Sequence, residues 1–132
     1  VVRRIAEYNK SSVKDENEDS DTPLHLAATC GHIYVVKCLL EHGAPVDATN
    51  TKMWTALDCA ADNGWTKTCK VLIESDSPID PKDRSDQTPL LLASMKGHIT
   101  VIDLLLKSGA NVNKRDNAGS NCLDLAINHN QE

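Results

Sequence analysis

Thr22-Pro-Leu-His-Leu-Ala27 returns three times, each copy 33 residues further on. The later copies are Thr55-Ala-Leu-Asp-Cys-Ala60, Thr88-Pro-Leu-Leu-Leu-Ala93 and Asn121-Cys-Leu-Asp-Leu-Ala126. No residue is gained or lost between copies. A fixed period in this range marks a stacked solenoid, whose units bury their apolar faces only against like neighbours. The function expected of such a chain is a binding surface built by repetition, not a catalytic cleft.

Around that phrase, each unit reads as a pair of helices. Thr22, Thr55 and Thr88 stand where an N-cap belongs, because a hydroxyl there can accept from an orphan N–H of the first turn. Pro23 and Pro89 follow at the first helical position, where a missing N–H costs nothing. The first apolar run is short and rich in Ala, so neighbouring helices can approach closely. Gly31, Gly64 and Gly97 end it, as a left-handed residue past a helix C-terminus requires. A second run follows: Val35 to Leu40, Val71 to Ile73, Val101 to Leu106. Gly43 and Gly109 end this second helix. The polar stretch before the next Thr, such as Asn111 to Ser120, suits a tight turn or hairpin tip.

These motifs resemble the ankyrin repeat. Thr-Pro-Leu-His, Gly31-His32, Gly97-His98, Gly43-Ala44-Pro45-Val46-Asp47 and Gly109-Ala110-Asn111-Val112-Asn113 carry the resemblance, which covers residues 22 to 129. It implies an all-α solenoid of antiparallel helix pairs joined by β-hairpin loops. Three local departures stand out. His25 gives way to Asp58, Leu91 and Asp124, which predicts weaker His–Thr bonding. Met53 occupies a turn position usually held by Gly, which predicts a strained or reshaped loop. Asn121-Cys122 replaces Thr-Pro, which predicts a less sharply defined last helix start.

The single domain over 1–132 then divides as follows. Residues 1–9 read as the remnant second helix of a preceding repeat, and 10–21 as an acidic loop. Residues 22–54, 55–87 and 88–120 are full repeats, and 121–132 begins another. Neither end reads as a polar cap, so the expectation is an array truncated at both ends.

Composition narrows the function. The formal net charge is −5, which speaks against a nucleic-acid partner, since such binders carry a basic face. No stretch approaches the roughly 18 apolar residues of a membrane span, so no direct membrane insertion is expected. The five cysteines have an odd count and spacings that fit no disulfide framework or zinc module. A reducing cytoplasm is their natural setting. Cys38, Cys59 and Cys69 replace Leu or Val of other copies and read as small buried hydrophobes. Cys30, just before a turn Gly, should face solvent.

Sites of chemistry are sparse. Cys30-x-His32 and Cys38-x-x-x-His42 are pairs without the further ligands a metal needs. No nucleophile, base and orienting acid stand apart from structural positions, and no phosphate loop is present. No enzyme, metal or cofactor is therefore expected. The residues least explained by the fold lie at the loop tips and the ends of the first helices. The resemblance implies that such positions form a concave protein-binding face. They are Glu18, Asp19 and Asp21, then Thr51, Lys52 and Trp54, then Arg84, Ser85 and Gln87 on the loops. On the helix ends they are Thr29 and Cys30, Asp62 and Asn63, Met95 and Lys96. Trp54 reads either as an interface anchor or as a side chain packed on the neighbouring loop. Trp65 reads as packing between helices.

A narrower resemblance is also legible. Trp54-Thr-Ala-Leu57, Gly64, Thr66, Thr68, Lys70-Val71 and the Asn121 to Ile127 segment look like the cytosolic array of transient receptor potential cation channels. That resemblance implies a scaffold coupled to a gate in a homotetrameric membrane channel. The competing expectation is a soluble adaptor gripping a peptide or protein partner.

Overall fold

The computed structural model describes residues 20–131, with side chains described as far as Ile127. The expected remnant helix at 1–9, most of the acidic loop, and Glu18 and Asp19 lie outside the described residues. Seven helices run through the rest: α1 Pro23–Cys30, α2 Ile33–Glu41, α3 Ala56–Asp62, α4 Thr66–Glu74, α5 Pro89–Lys96, α6 Ile99–Lys107 and α7 Cys122–Gln131. The first helices α1, α3, α5 and α7 stack in one row, and the second helices α2, α4 and α6 stack in another.

The caps follow from the sequence. Thr22, Thr55 and Thr88 sit in extended backbone, and each hydroxyl accepts the N–H of the third helical residue. The last start is capped as well, contrary to expectation. Asn121 Oδ1 accepts from Asp124 N at 3.0 Å, and Asp124 Oδ2 accepts from Asn121 N at 3.1 Å. This is a reciprocal capping box built from an amide and a carboxylate in place of a hydroxyl.

The 33-residue period turns the core into columns. Leu24, Leu57 and Leu90 are buried in register between the first helices. Ala27, Ala60 and Ala93 form a second column, and Leu39, Leu72 and Leu105 a third between the second helices. Small residues in the first row let the helices approach, while Leu in the second fills the space this leaves. Cys69 takes the column place of Val36, and Cys59 that of Leu92, and all four are buried. Cys38 is a correction, being only half-buried on α2.

Gly31 and Gly64 tie one repeat to the next. Both have positive φ, at 70° and 78°. A Cβ on Gly31 would meet the Trp65 ring at 2.5 Å, and one on Gly64 the His98 ring at 2.8 Å. The missing side chain therefore serves two needs, a left-handed helix end and a seat for the ring of the next repeat. From those seats Trp65 Nε1 donates to Thr29 O at 2.8 Å, and His98 Nε2 donates to Asp62 O at 2.9 Å.

The loops depart from β-hairpins in one respect. Each closes with backbone bonds of a tight hairpin turn: Asn50 to Trp54, Asp83 to Gln87, Asp116 to Ser120. However, no strand forms among the described residues. Neighbouring loops share a single backbone bond each, Arg84 N to Lys52 O at 3.2 Å and Asn117 N to Ser85 O at 3.0 Å. One bond per junction holds the loops side by side without making a ladder. Ser20, Met53, Asp86 and Gly119, again 33 apart, all have positive φ. Met53, at 61°, therefore keeps the turn and bears the strain, rather than reshaping it.

Candidate functional site

Each loop is organised by one Asx residue. Asn50 Oδ1 accepts from Lys52 N and Trp54 N at 2.9 and 3.0 Å. Asp83 Oδ1 accepts from Ser85 N and Gln87 N at 2.8 and 2.9 Å. Asp116 Oδ1 accepts from Ala118 N and Ser120 N at 3.0 and 2.9 Å. A short acceptor side chain at the turn entrance replaces the backbone partners that a sheet would supply. The Asx position is also the residue type that sequence reasoning passed over. Its signal was the same 33-residue spacing that marks the Thr caps.

The second arm of the Asx group reaches the preceding loop. Asn50 Nδ2 donates to Asp21 Oδ1 at 2.8 Å, and Trp54 Nε1 donates to Asp83 Oδ2 at 2.7 Å. Trp54 is half-buried, with Lys52 Nζ 4.9 Å from its ring centroid. Of its two expected roles, the geometry displays packing on the neighbouring loop. Its backbone is tied down too, since His25 Nε2 lies 2.8 Å from Trp54 O. Thr22 N donates to His25 Nδ1 at 3.1 Å, which fixes Nδ1 as acceptor and places the ring proton on Nε2.

Asp58 occupies the His25 place in the second repeat and behaves differently. Its Oδ2 accepts from Thr55 N at 2.9 Å and Thr55 Oγ1 at 3.3 Å, so the bond to Thr survives the substitution. The shorter side chain lacks the second nitrogen that spans to the next loop. Asp58 Oδ1 is buried without a partner. Burial pushes this carboxyl up to about 8, with the nearby Asp83 and Asp62 charges adding in the same direction.

Six of the expected residues, Thr51, Lys52, Trp54, Arg84, Ser85 and Gln87, line one cavity of about 220 Å³ between the first two described loops, with Asp83 as its seventh wall. Arg84 Nε donates to Thr51 O across it. Asp83 spends both oxygens on three N–H donors. Lys52 and Arg84 place two exposed cations on the rim, with the exposed Asp86 beside them on the same loop as Arg84. The helix-end residues lie outside this lining. Thr29 Oγ1 and Asn63 Nδ2 bond back to carbonyls of their own helices, His25 O and Cys59 O, both at 2.8 Å. Asp62 pairs with Lys96 at 3.5 Å. Met95 is half-buried, and Cys30 is an exposed free thiol. Among the described residues no three metal-ligating side chains converge. The Cys38–His42 pair holds its sulfur and Nδ1 3.9 Å apart, while the same nitrogen contacts Cys38 O at 2.8 Å. No helix of the described residues is long and apolar enough to cross a membrane.

Family models describe the same repeats. The model for ankyrin repeats in three copies matches residues 1–84, and the single ankyrin repeat model matches residues 85–117. Relatives share short stretches. The serine/threonine-protein kinase VIK of Arabidopsis thaliana is 49% identical over 36% of this chain, which covers 11% of the kinase. Alpha-latrocrustotoxin-Lt1a of Latrodectus tredecimguttatus is 38% identical over 44% of the chain, which covers 4% of the toxin. Ankyrin repeat and SOCS box protein 12 of Mus musculus is 59% identical over 26% of the chain, covering 11% of that protein. The chain thus spans only a small part of each of these relatives. With the repeated caps, the columned core and the paired helices, these matches show that the chain belongs to the ankyrin repeat family.

Proposed function

We propose that this chain is a non-catalytic, cytoplasmic protein-interaction module, a scaffold or adaptor that grips a peptide or protein partner with its loop face. Its repeats divide at 22–54, 55–87 and 88–120. The observation that carries the reading is the inter-loop cavity lined by Thr51, Lys52, Trp54, Arg84, Ser85 and Gln87. A fixed floor (Trp54 bonded to Asp83) beneath two exposed cations is how a recognition surface limits its ordering cost. Thr29, Cys30, Asp62, Asn63, Met95 and Lys96 extend this surface along the first helices, and Asp21 borders it. Cys59 and Cys69 are buried where other repeats carry Leu and Val, which fits cysteines used as small hydrophobes in a reducing compartment.

The narrower reading, an array within a homotetrameric transient receptor potential channel whose partners are neighbouring repeats, rests on the resemblance around Trp54 and Asn121. The kinase, toxin and SOCS box relatives add nothing to it, so the adaptor reading stands ahead.

Photocrosslinking tests the proposal. A benzophenone side chain placed at Thr51 or Ser85 should yield adducts with another protein in cells expressing the chain. The same group at Glu41 or Lys107, on the second helices, should not. Adducts confined to Glu41 and Lys107 would overturn the loop-face assignment.

A further inference from the structure

The edge opposite in character to the loops is the turn from each first helix into its second. There the repeat places residues 31–34, 64–67 and 97–100 in register. Thr66 Oγ1 and Thr100 Oγ1 lie 2.7 Å apart across one junction. Three large apolar side chains stand out along this edge: Tyr34 is 72% exposed, Ile99 77% and Trp65 43%. Between the first two turns lies a cavity of about 230 Å³, lined by Gly31, Ile33, Trp65, Thr66, Lys67 and Thr68. Its size suits one aliphatic or aromatic side chain.

The charge of this edge runs against that of the molecule. The equivalent segments 31–38, 64–71 and 97–104 hold Lys37, Lys67 and Lys70 against a single acid, Asp103, which is paired with Lys107 at 2.9 Å, in a chain of net charge −5. All three lysines are exposed. Lys37 Nζ stands 5.8 Å from the Tyr34 ring centroid, so cation and aromatic form one surface. The dipoles of α2 and α4 direct their positive ends to the same edge. Acid in α2 and α4 stands at their far ends, at Glu41 and Glu74, while α6 carries Asp103 in mid-helix, paired with Lys107.

We infer that this edge is a second docking surface, separate from the loop face, for an acidic peptide segment that inserts one apolar side chain between Ile33 and Trp65. The apolar residues supply buried area, and the lysines select the charge of the flanking residues. A discrete side-chain-sized cavity favours a peptide over an anionic bilayer, which needs no such pocket. The surface does not depend on the loop-face reading.

The test is a selection of random twelve-residue peptides displayed on phage against the whole chain. Survivors are then titrated as synthetic peptides against three proteins: the parent, a Lys67→Glu/Lys70→Glu variant and a Lys52→Glu/Arg84→Glu variant. The expected survivors carry Asp or Glu around a Leu, Ile or Phe. They should bind the Lys67→Glu/Lys70→Glu variant at least tenfold more weakly and the loop variant unchanged. An Ile99→Ser variant, altered only at an exposed side chain, should weaken them several-fold and guards against misfolding of the charge reversal. Survivors that are neutral or basic, that respond only to the loop variant, or that fail to appear would overturn the inference. So would binding to vesicles of phosphatidylcholine and phosphatidylserine that tracks the same lysines with no peptide selected.

Discussion

The indole nitrogen of Trp54 donates to the carboxylate of Asp83, 29 residues away, at 2.7 Å. The same carboxylate closes its own loop through Ser85 N and Gln87 N. One buried acid therefore fixes two neighbouring loops, and the cavity between them takes its shape from that bond. Trp54→Phe keeps most of the ring and leaves Asp83 Oδ2 short of a donor, so it should cost about 1–2 kcal/mol. Asp83→Ala removes three acceptor contacts and should cost about 2–3 kcal/mol. Urea denaturation of both single variants and the double checks this. The double should fall short of the sum by about 1 kcal/mol, because the two share one interaction. Full additivity would mean that the bond contributes nothing.

The ring seats at the turns make a comparative prediction. Gly43 has φ 87° and open space where a Cβ would stand, whereas a Cβ at Gly31 meets Trp65. Gly43→Ala carries only the left-handed backbone strain, about 1–2 kcal/mol. Gly31→Ala carries that strain and also lifts the Trp65 ring from its seat, so its loss of stability should be larger by at least about 1 kcal/mol. Equal midpoints in urea for the two variants would contradict the stacked-ring account of the junction.

Asp58 makes stability depend on pH. Its carboxyl is raised from 3.8 to about 8 by burial. The folded state therefore holds a proton that the unfolded chain releases near pH 4. Stability from this group is fully present below about pH 4 and is lost as pH rises toward 8. Asp58→Asn keeps an acceptor for Thr55 and removes the titration. The variant's thermal midpoint should exceed the parent's near pH 8, with the gap shrinking as pH falls toward 5. A gap that stays constant across that range would remove the buried carboxyl as its cause.

The five thiols should separate in reactivity. Cys30 is exposed, while Cys59 and Cys69 are buried and each pushed up to about 12 by that burial. Thiolate is the reacting form, so the two buried thiols are disfavoured by access and by protonation alike. A soluble maleimide followed by peptide mass spectrometry should label Cys30 at least tenfold faster than either. Comparable rates in the folded protein would show that the columns open readily.

The parts of this structure that were legible in sequence are those that repeat locally. Thr22, Thr55 and Thr88 cap because the cap bond spans three residues of one chain segment, and the leucine columns follow from a period without gaps. The parts that were not legible depend on what one repeat presents to the next. Trp54 read equally as an anchor or as packed on the neighbouring loop, because its partner, Asp83, is set by the offset between stacked loops and not by any local pattern. Asp58 looked like a weakened His25. Its side chain keeps the local bond to Thr55, and its buried, unpartnered oxygen emerges only once the next repeat covers it. Cys38 sits in an apolar run yet lies half-buried, because α2 turns part of that run toward solvent. The loops were read as hairpins, and their turns are, but a single backbone bond per junction leaves no strand among the described residues.

If the loop face recognises a protein, Lys52 and Arg84 at its rim should set the affinity. The protein captured through position 51 or 85 can be titrated, by calorimetry, against the parent and the Lys52→Glu/Arg84→Glu variant. The expected result is binding at least tenfold weaker in the variant. Its thermal midpoint should fall by no more than several degrees, since the losses are one exposed hydrogen bond and one exposed cation–π contact. Unchanged affinity in the variant would contradict recognition through this face.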